Sequence, residues 1–359
     1  MSHWVTQTQQ LDALAQGLDQ APIALDTEFI RERTYYPKLA LVQLRPATGE
    51  ECLIDPLALP QAGELTPVLQ GGTLKIMHSP GEDLQAFQHG WNVRVGPIFD
   101  TQQAAALAGH GAGKGYQALV ADLLGIQLEK GETRSDWLRR PLSDSQCHYA
   151  AEDVRHLHAL HEILDQRLRE LDRLDWLTED CARLVAHADE DGMDPHPHLS
   201  SRSAQRMDPE AQARLRRLLL WRDATARQLD RPRSWILDNE LVVLLAQQTM
   251  TQSRFHALLD QHPRAPRRLR DQIWEEVSRP LDASEQSIPL AATPDPALRN
   301  TLKAMQAVVA QQAQALDLPE GVLCARRHLE TLLTSRQWPT ALDGWRTTIL
   351  QKPLMQLLP

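Results

Sequence analysis

The sequence predicts an α/β chain: a mixed sheet covered by helices on both faces, followed by two small all-helical domains. Three observations carry this. Short apolar runs alternate with helical periodicity through the first half of the chain. From Pro209 onward the periodicity is wholly helical. Between the two halves, residues 187–198 are acidic, then rich in Pro and His, and lack periodicity, so they read as a linker.

Taken in order, residues 8–19 place Leu11, Leu14 and Leu18 on one helical stripe, which Ala21-Pro22 ends. Ile23-Ala24-Leu25-Asp26-Thr27-Glu28-Phe29 reads as a buried strand. Residues 38–45 and 51–54 read as the next two strands, the second stopping at Asp55-Pro56. Short turns between the three suggest an antiparallel meander. A loop and helix occupy 57–69. Another short strand at 74–77 passes through Ser79-Pro80-Gly81 into a helix over 83–89. Residues 97–100 form a strand leading into a helix at 101–108, and helical segments continue to about residue 188. The expected domains are 1–200, 209–289 and 293–359. With separate cores expected, truncation near residue 200 should leave the first one folded.

The net charge of the 359 residues is −9. It is unevenly placed: residues 1–195 hold 16 Lys and Arg against 30 Asp and Glu, whereas residues 196–359 hold 22 against 17. An acidic half suits cation binding and a basic half suits phosphate contact. Arginines gather at Arg214, Arg216, Arg217, Arg222 and Arg227, and again at Arg264, Arg267, Arg268 and Arg270, as expected phosphate contacts. Cys52, Cys147, Cys181 and Cys324 are scattered, which indicates buried free thiols in a reducing compartment. No charged-then-apolar signal region and no apolar run of 18 residues occur, so a soluble cytoplasmic monomer without a membrane partner is expected.

Candidate chemistry lies in the acids. Asp26 and Glu28 are two apart on a strand and project side by side. Two like charges so close need a countercharge, and hard oxygen ligands suit Mg2+ or Mn2+. A solvated strand end is the competing reading of this tripeptide by itself. Asp83 opens a helical pattern, where a plain N-terminal acid is the competing reading. Tyr149 and Asp153 are four apart and share a helix face.

The order Asp26, Glu28, Asp83, Tyr149, Asp153 resembles that of DEDD-type 3′→5′ exonucleases of the tyrosine subclass. The surrounding text, Thr34-Tyr35-Tyr36-Pro37, Leu41-Val42-Gln43-Leu44, Asp136-Trp137-Leu138, Arg140-Pro141-Leu142 and Tyr149-Ala150-Ala151, resembles the ribonuclease D family over about the first 200 residues. Residues 209–289 resemble an HRDC domain, a small helical nucleic-acid-binding module, and 293–359 a divergent second copy. The resemblance implies a ribonuclease H-like exonuclease domain and a metal-dependent exoribonuclease. It would release nucleoside 5′-monophosphates from RNA 3′ ends, tRNA precursors and other structured RNA among them. It implies two divalent ions, Mg2+ or Mn2+, held by Asp26, Glu28, Asp83 and Asp153, with Tyr149 orienting the attacking water.

Thr27, Phe29, His78, Arg134 and Trp137 are further candidate substrate contacts. Arg31, Arg33 and Lys38 follow the first motif, and Arg139 and Arg140 flank Trp137. Basic residues interleaved with an aromatic suit a single strand. Gly109–Gly115 lacks the Gly-Lys-Ser/Thr ending of a phosphate loop, so no nucleotide cofactor is expected and the stretch reads as a mobile loop, a candidate lid. His156, His158 and His161 read as surface residues, and His196 and His198 as solvated linker residues. Two rivals use the same text: a proofreading or repair-type 3′→5′ DNA exonuclease, and a nucleic-acid-binding protein without catalysis. The first is distinguished by RNA against DNA digestion, and the second is disfavoured by the complete acidic set.

Overall fold

The two longest strands are apolar runs shielded on both faces, as a sheet between helix layers requires. The computed structural model describes all residues except 1–2, 19, 130, 133–134, 190–191, 193, 292–295 and 359. Six strands, β1 (His3–Val5), β2 (Ile23–Ile30), β3 (Lys38–Arg45), β4 (Cys52–Ile54), β5 (Lys75–Met77) and β6 (Ile98–Asp100), form one sheet in the order β1-β4-β3-β2-β5-β6. The β2-β3-β4 meander is antiparallel, whereas β5 and β6 join in parallel and β1 pairs β4 in parallel. The edge strand β1 is too short to give a periodic signal.

The helices are α1 (Thr8–Gly17), α2 (Thr66–Gln70), α3 (Gly81–Trp91), α4 (Thr101–Leu107), α5 (Tyr116–Leu124), α6 (Asp144–Arg155), α7 (Leu157–Glu170) and α8 (Leu174–Asp189), then α9 (Pro209–Gln228), α10 (Arg233–Ile236), α11 (Asn239–Gln247), α12 (Gln252–Gln261), α13 (Arg270–Ser278) and α14 (Ala283–Gln286), then α15 (Pro296–Ala315), α16 (Glu320–Leu323), α17 (Arg326–Ser335) and α18 (Trp345–Met355). Local chemistry starts several of them. Ser143 Oγ accepts from the Gln146 amide while Gln146 Oε1 accepts from the Ser143 amide, a capping box that sets the start of α6. Asp208 accepts from the Ala211 amide ahead of Pro209 at the start of α9.

The chain divides into two compact units: residues 1–30, 37–190 and 295–359 form the first, and 31–36 with 191–294 the second. In the first unit one hydrophobic cluster contains Ile23, Leu25, Val42 and Leu84 together with Leu302, Met305, Val309, Leu329, Leu350 and Leu354. The C-terminal helices therefore have no separate core, contrary to expectation. Amphipathic periodicity marks an apolar face but not what covers it. Trp345 stacks flat on Trp176 with centroids 4.3 Å apart, and Arg346 grips Asp180 through both terminal nitrogens at 2.6 and 2.9 Å. His158 and His161 are half-buried rather than superficial: His158 Nε2 lies 3.1 Å from Arg45 O, and His161 meets Phe99 edge-on.

In the second unit, Leu215, Leu218, Leu241, Leu245, Phe255 and Ile273 form the core. Two expectations change here. Arg217 is 5% exposed, bound to both Glu285 oxygens and to the carbonyls of Glu276, Arg279 and Pro280; Arg214 is buried against Ala246 O. Neither presents a charge to phosphate. His198 is fully buried, with Nε2 2.9 Å from Pro289 O, so residues 197–200 are packed structure and not solvated linker. Residues 31–36 fold into this unit: Tyr35 OH donates to Asp223 at 3.1 Å and accepts from Arg233 at 2.6 Å, while Asp230 accepts from the Tyr35 and Tyr36 amides.

Candidate active site

The central strand β2 carries the first pair of acids. Asp26 and Glu28 share a face, and the pairing register of β2 with β3 shifts between Glu28 and Phe29. Such a bulge re-aims side chains at the strand's end. Parallel pairing of Ile23 with Lys75 and Ala24 with Ile76 brings β5 alongside. The chain leaving β5 turns at Ser79, whose φ is +56°, and its amide is held by Asp100 at 2.9 Å. The helix α3 then places Asp83 in its first turn, buried. Across the sheet face, α6 packs on β2 and β3 and brings Tyr149 and Asp153 to the site.

Thr27 Oγ1 donates to Asp83 Oδ1 at 2.5 Å. The Tyr149 phenol donates to the Asp153 carboxylate. Burial raises all four carboxyls above their ordinary range, and repulsion from neighbouring carboxylates adds to it, from others of the four for Asp26, Glu28 and Asp153 and from Glu82 for Asp83: Asp26 strongly, Glu28 to about 9, Asp153 to about 7 and Asp83 to about 6. Among the described residues, the charged groups that perturb them are other carboxylates, and none is a cation. Four hard oxygen donors that oppose one another's ionisation are matched by a divalent cation, whose charge removes both burdens. The donor set thus fits such an ion. Tyr149 is pushed far above the usual phenol range by burial and then by Asp153, Glu28 and Asp26, so it stays protonated and acts as a hydrogen-bond donor.

The other anticipated residues take different places. Thr27 is buried and supports Asp83. Phe29 is half-buried against the main core. Trp137 is 3% exposed with its ring 6.1 Å from that of Tyr149, which backs the tyrosine and leaves no free face for a base. Arg140 forks onto both Asp55 oxygens at 2.7 and 2.8 Å and binds Ala40 O and Trp137 O, so it braces the loop rather than meeting phosphate. His78 Nδ1 lies 2.9 Å from Thr101 Oγ1, and burial lowers its pKa to about 4, which makes it a neutral residue near the site. Arg134 lies outside the described residues. One residue had no signal in the motifs: Tyr116 OH donates to Glu152 O at 2.9 Å and accepts from the His156 amide at 3.2 Å, fastening the end of α6.

A protein-family profile described as "3'-5' exonuclease" matches residues 2–169. The chain is 50% identical to the ribonuclease D of Xanthomonas oryzae pv. oryzae over its whole length and 99% of that relative. The chain belongs to the ribonuclease D family. The ribonuclease D of Pseudomonas paraeruginosa is 35% identical, over 94% of this chain and 92% of that one. The crystal structure of Escherichia coli RNase D, described as an exoribonuclease involved in structured RNA processing, superposes with a TM-score of 0.86 at 26% identity and covers 99% of this chain and 98% of that one. As a ribonuclease D family member the protein is a 3′→5′ exoribonuclease, with the mixed-sheet nuclease fold followed by helices that the sequence predicted. No helix among the described residues is long and apolar enough to cross a membrane.

Proposed function

We propose that this protein trims the 3′ ends of structured RNA, tRNA precursors among them. In this reading Asp26, Glu28, Asp83 and Asp153 hold two divalent cations, Mg2+ or Mn2+, and Tyr149 positions the attacking water. The observation that carries it is the convergence of four carboxyls whose ionisation burial opposes and which no cationic side chain among the described residues offsets. Held there, divalent cations would supply activation of a water and stabilisation of charge at the scissile phosphate.

The chain's own residues supply the rest. Thr27 holds one Asp83 oxygen and leaves the other free as a ligand. Trp137 backs the Tyr149 ring, and Tyr116 fastens the end of α6, so phenol and Asp153 keep their register. Because Tyr149 stays protonated, its hydroxyl orients the water and removes no proton. Residues 1–30, 37–190 and 295–359 serve as the exonuclease unit, with the C-terminal helices part of its core, and 209–289 as an HRDC domain. HRDC-like helices offer RNA contacts outside the acidic site, where phosphate meets fewer carboxylates.

The test uses matched 3′-labelled and 5′-labelled RNA and DNA, including a tRNA precursor, with Mg2+, Mn2+ or EDTA. Mononucleotides released from RNA 3′ ends, loss of activity in EDTA, and a drop on the order of a thousandfold in Asp26→Asn are expected. Activity in EDTA, or near-normal Asp26→Asn, would remove the metal assignment. Equal trimming of DNA would remove the RNA preference.

A further inference from the structure

With Arg214 and Arg217 committed to the core, the exposed positive charge of the second unit lies elsewhere. The stretch Arg231-Pro232-Arg233-Ser234-Trp235 leads into α10. Trp235 is 53% exposed and is the one aromatic among the large exposed apolar side chains of the described residues. It belongs to none of the unit's hydrophobic clusters, whereas its neighbour Ile236 is buried against Tyr35 and Ala226. An indole left in water beside a well-packed core points to a binding role, because nothing in the packing needs it there.

Guanidinium groups lie on the same stretch and on segments that meet its neighbours. Arg231 is exposed, and Arg233 is anchored by Asp223 and the Tyr35 hydroxyl yet keeps half its surface in water. The Arg264 side chain is 77% exposed and touches Asp238, three residues past Trp235, at 3.4 Å. Leu269 packs on the cluster that holds Ile236, which brings the exposed Arg267 and Arg268 of the same turn to this region. Of the carboxylates in the neighbourhood, Asp223 and Asp238 are buried, whereas Asp230 and Glu240 are exposed. Asp223 and Asp230 are occupied by Tyr35, Tyr36 and their arginines, and Asp238 caps α11.

We propose that the face around Trp235 is an RNA-docking surface of the second unit: an unpaired base stacks on the indole while Arg231, Arg264, Arg267 and Arg268 pair with the phosphates on either side. An exposed π-face with guanidinium groups on neighbouring segments recognises a single strand without reading its sequence. A second copy of the chain is a poorer occupant, since a two-fold contact would set the same arginines against each other. The inference rests on the RNA-trimming reading above and extends it to a contact outside the acidic site.

The experiment measures binding of full-length protein to a hairpin RNA with a single-stranded 3′ tail, by fluorescence anisotropy in EDTA at several NaCl concentrations. Trp235→Ala should weaken binding about tenfold with little change in salt slope, and Trp235→Phe should keep most of the affinity. Arg264→Ala combined with Arg268→Ala should flatten the log–log salt slope by about 1.4, at about 0.7 per phosphate contact. Melting temperatures should not move, because these side chains are exposed. Wild-type affinity and slope in these variants would overturn the proposal, as would a loss of self-association in Trp235→Ala with RNA affinity intact. If wild-type protein neither binds nor trims this RNA, the functional reading itself fails. If it trims normally and Trp235→Ala binds like wild type, only the docking surface is lost.

Discussion

Thr27 Oγ1 donates a 2.5 Å hydrogen bond to Asp83 Oδ1, so the residue between the two acids of β2 orients a third acid from α3. Removing this donor should release the Asp83 carboxyl, whose ionised form the bond favours against the burial that opposes it. Thr27→Val should weaken Mn2+ binding and lower turnover about tenfold, while Thr27→Ser restores both. Calorimetric Mn2+ titration beside single-turnover hydrolysis checks this. Equal activity in the valine and serine variants would show that Asp83 needs no such support.

Tyr149 is a donor held against Asp153 by its position one helical turn earlier. Tyr149→Phe should reduce saturated turnover on the order of a hundredfold, the scale of misplacing a reacting group that the hydroxyl no longer orients. RNA affinity should hardly change. Stopped-flow turnover at saturating oligonucleotide, together with equilibrium binding, separates the two; a fall confined to affinity would make the tyrosine a substrate contact.

Trp345 stacks on Trp176 inside the first unit, and the same helix anchors Arg346 to Asp180. Trp345→Ala should cost about 3–5 kcal/mol, the usual cost of deleting a buried aromatic. Urea unfolding measures it. For the same reason, a chain ending near residue 294 should expose apolar surface on α8 and aggregate, as light scattering would reveal. A well-folded, fully active truncation would contradict the shared core.

Glu285 lies buried against Arg217, whose hydrogen bonds hold its carboxyl below the ordinary range despite the opposing burial. A carboxylate lowered in the folded state stabilises above its unfolded pKa of about 4.3, and this is lost as pH falls through the folded value. Glu285→Gln should therefore melt lower than wild type at neutral pH, and the gap should close in acid. Arg217→Met leaves Glu285 buried and unpaired and should cost about 3–5 kcal/mol at neutral pH. Melting curves from pH 3 to 7 test both; a gap that stays constant with pH would mean the pair adds nothing beyond packing.

The order of elements and the acidic motifs were legible because each rests on a local rule. Strand period placed Asp26 and Glu28 on one face, helical period joined Tyr149 to Asp153, and the run Lys38–Arg45 bounded β3 to the residue. Support residues were not legible, because support is a matter of partners distant in sequence. Nothing near Tyr116 signals that its hydroxyl fastens α6, 36 residues later. Basic clustering misled for a related reason. Arg217 and Arg231 read alike as charges beside a helix, yet one is enclosed by four acceptor groups and the other faces water.

By itself, then, the amino-acid sequence determined the succession of strands and helices, the family motif and the chemistry its four acids can perform. All of these depend on residue type and short-range spacing. The tertiary structure alone decided which side chains are free to act. It buried Trp137 behind Tyr149, drew Thr27 to Asp83, folded residues 31–36 into the helical unit and merged the C-terminal helices with the sheet's core. The physical reason is that an apolar face or a polar side chain states what it needs, cover or a partner, while only the packed chain determines which group supplies it.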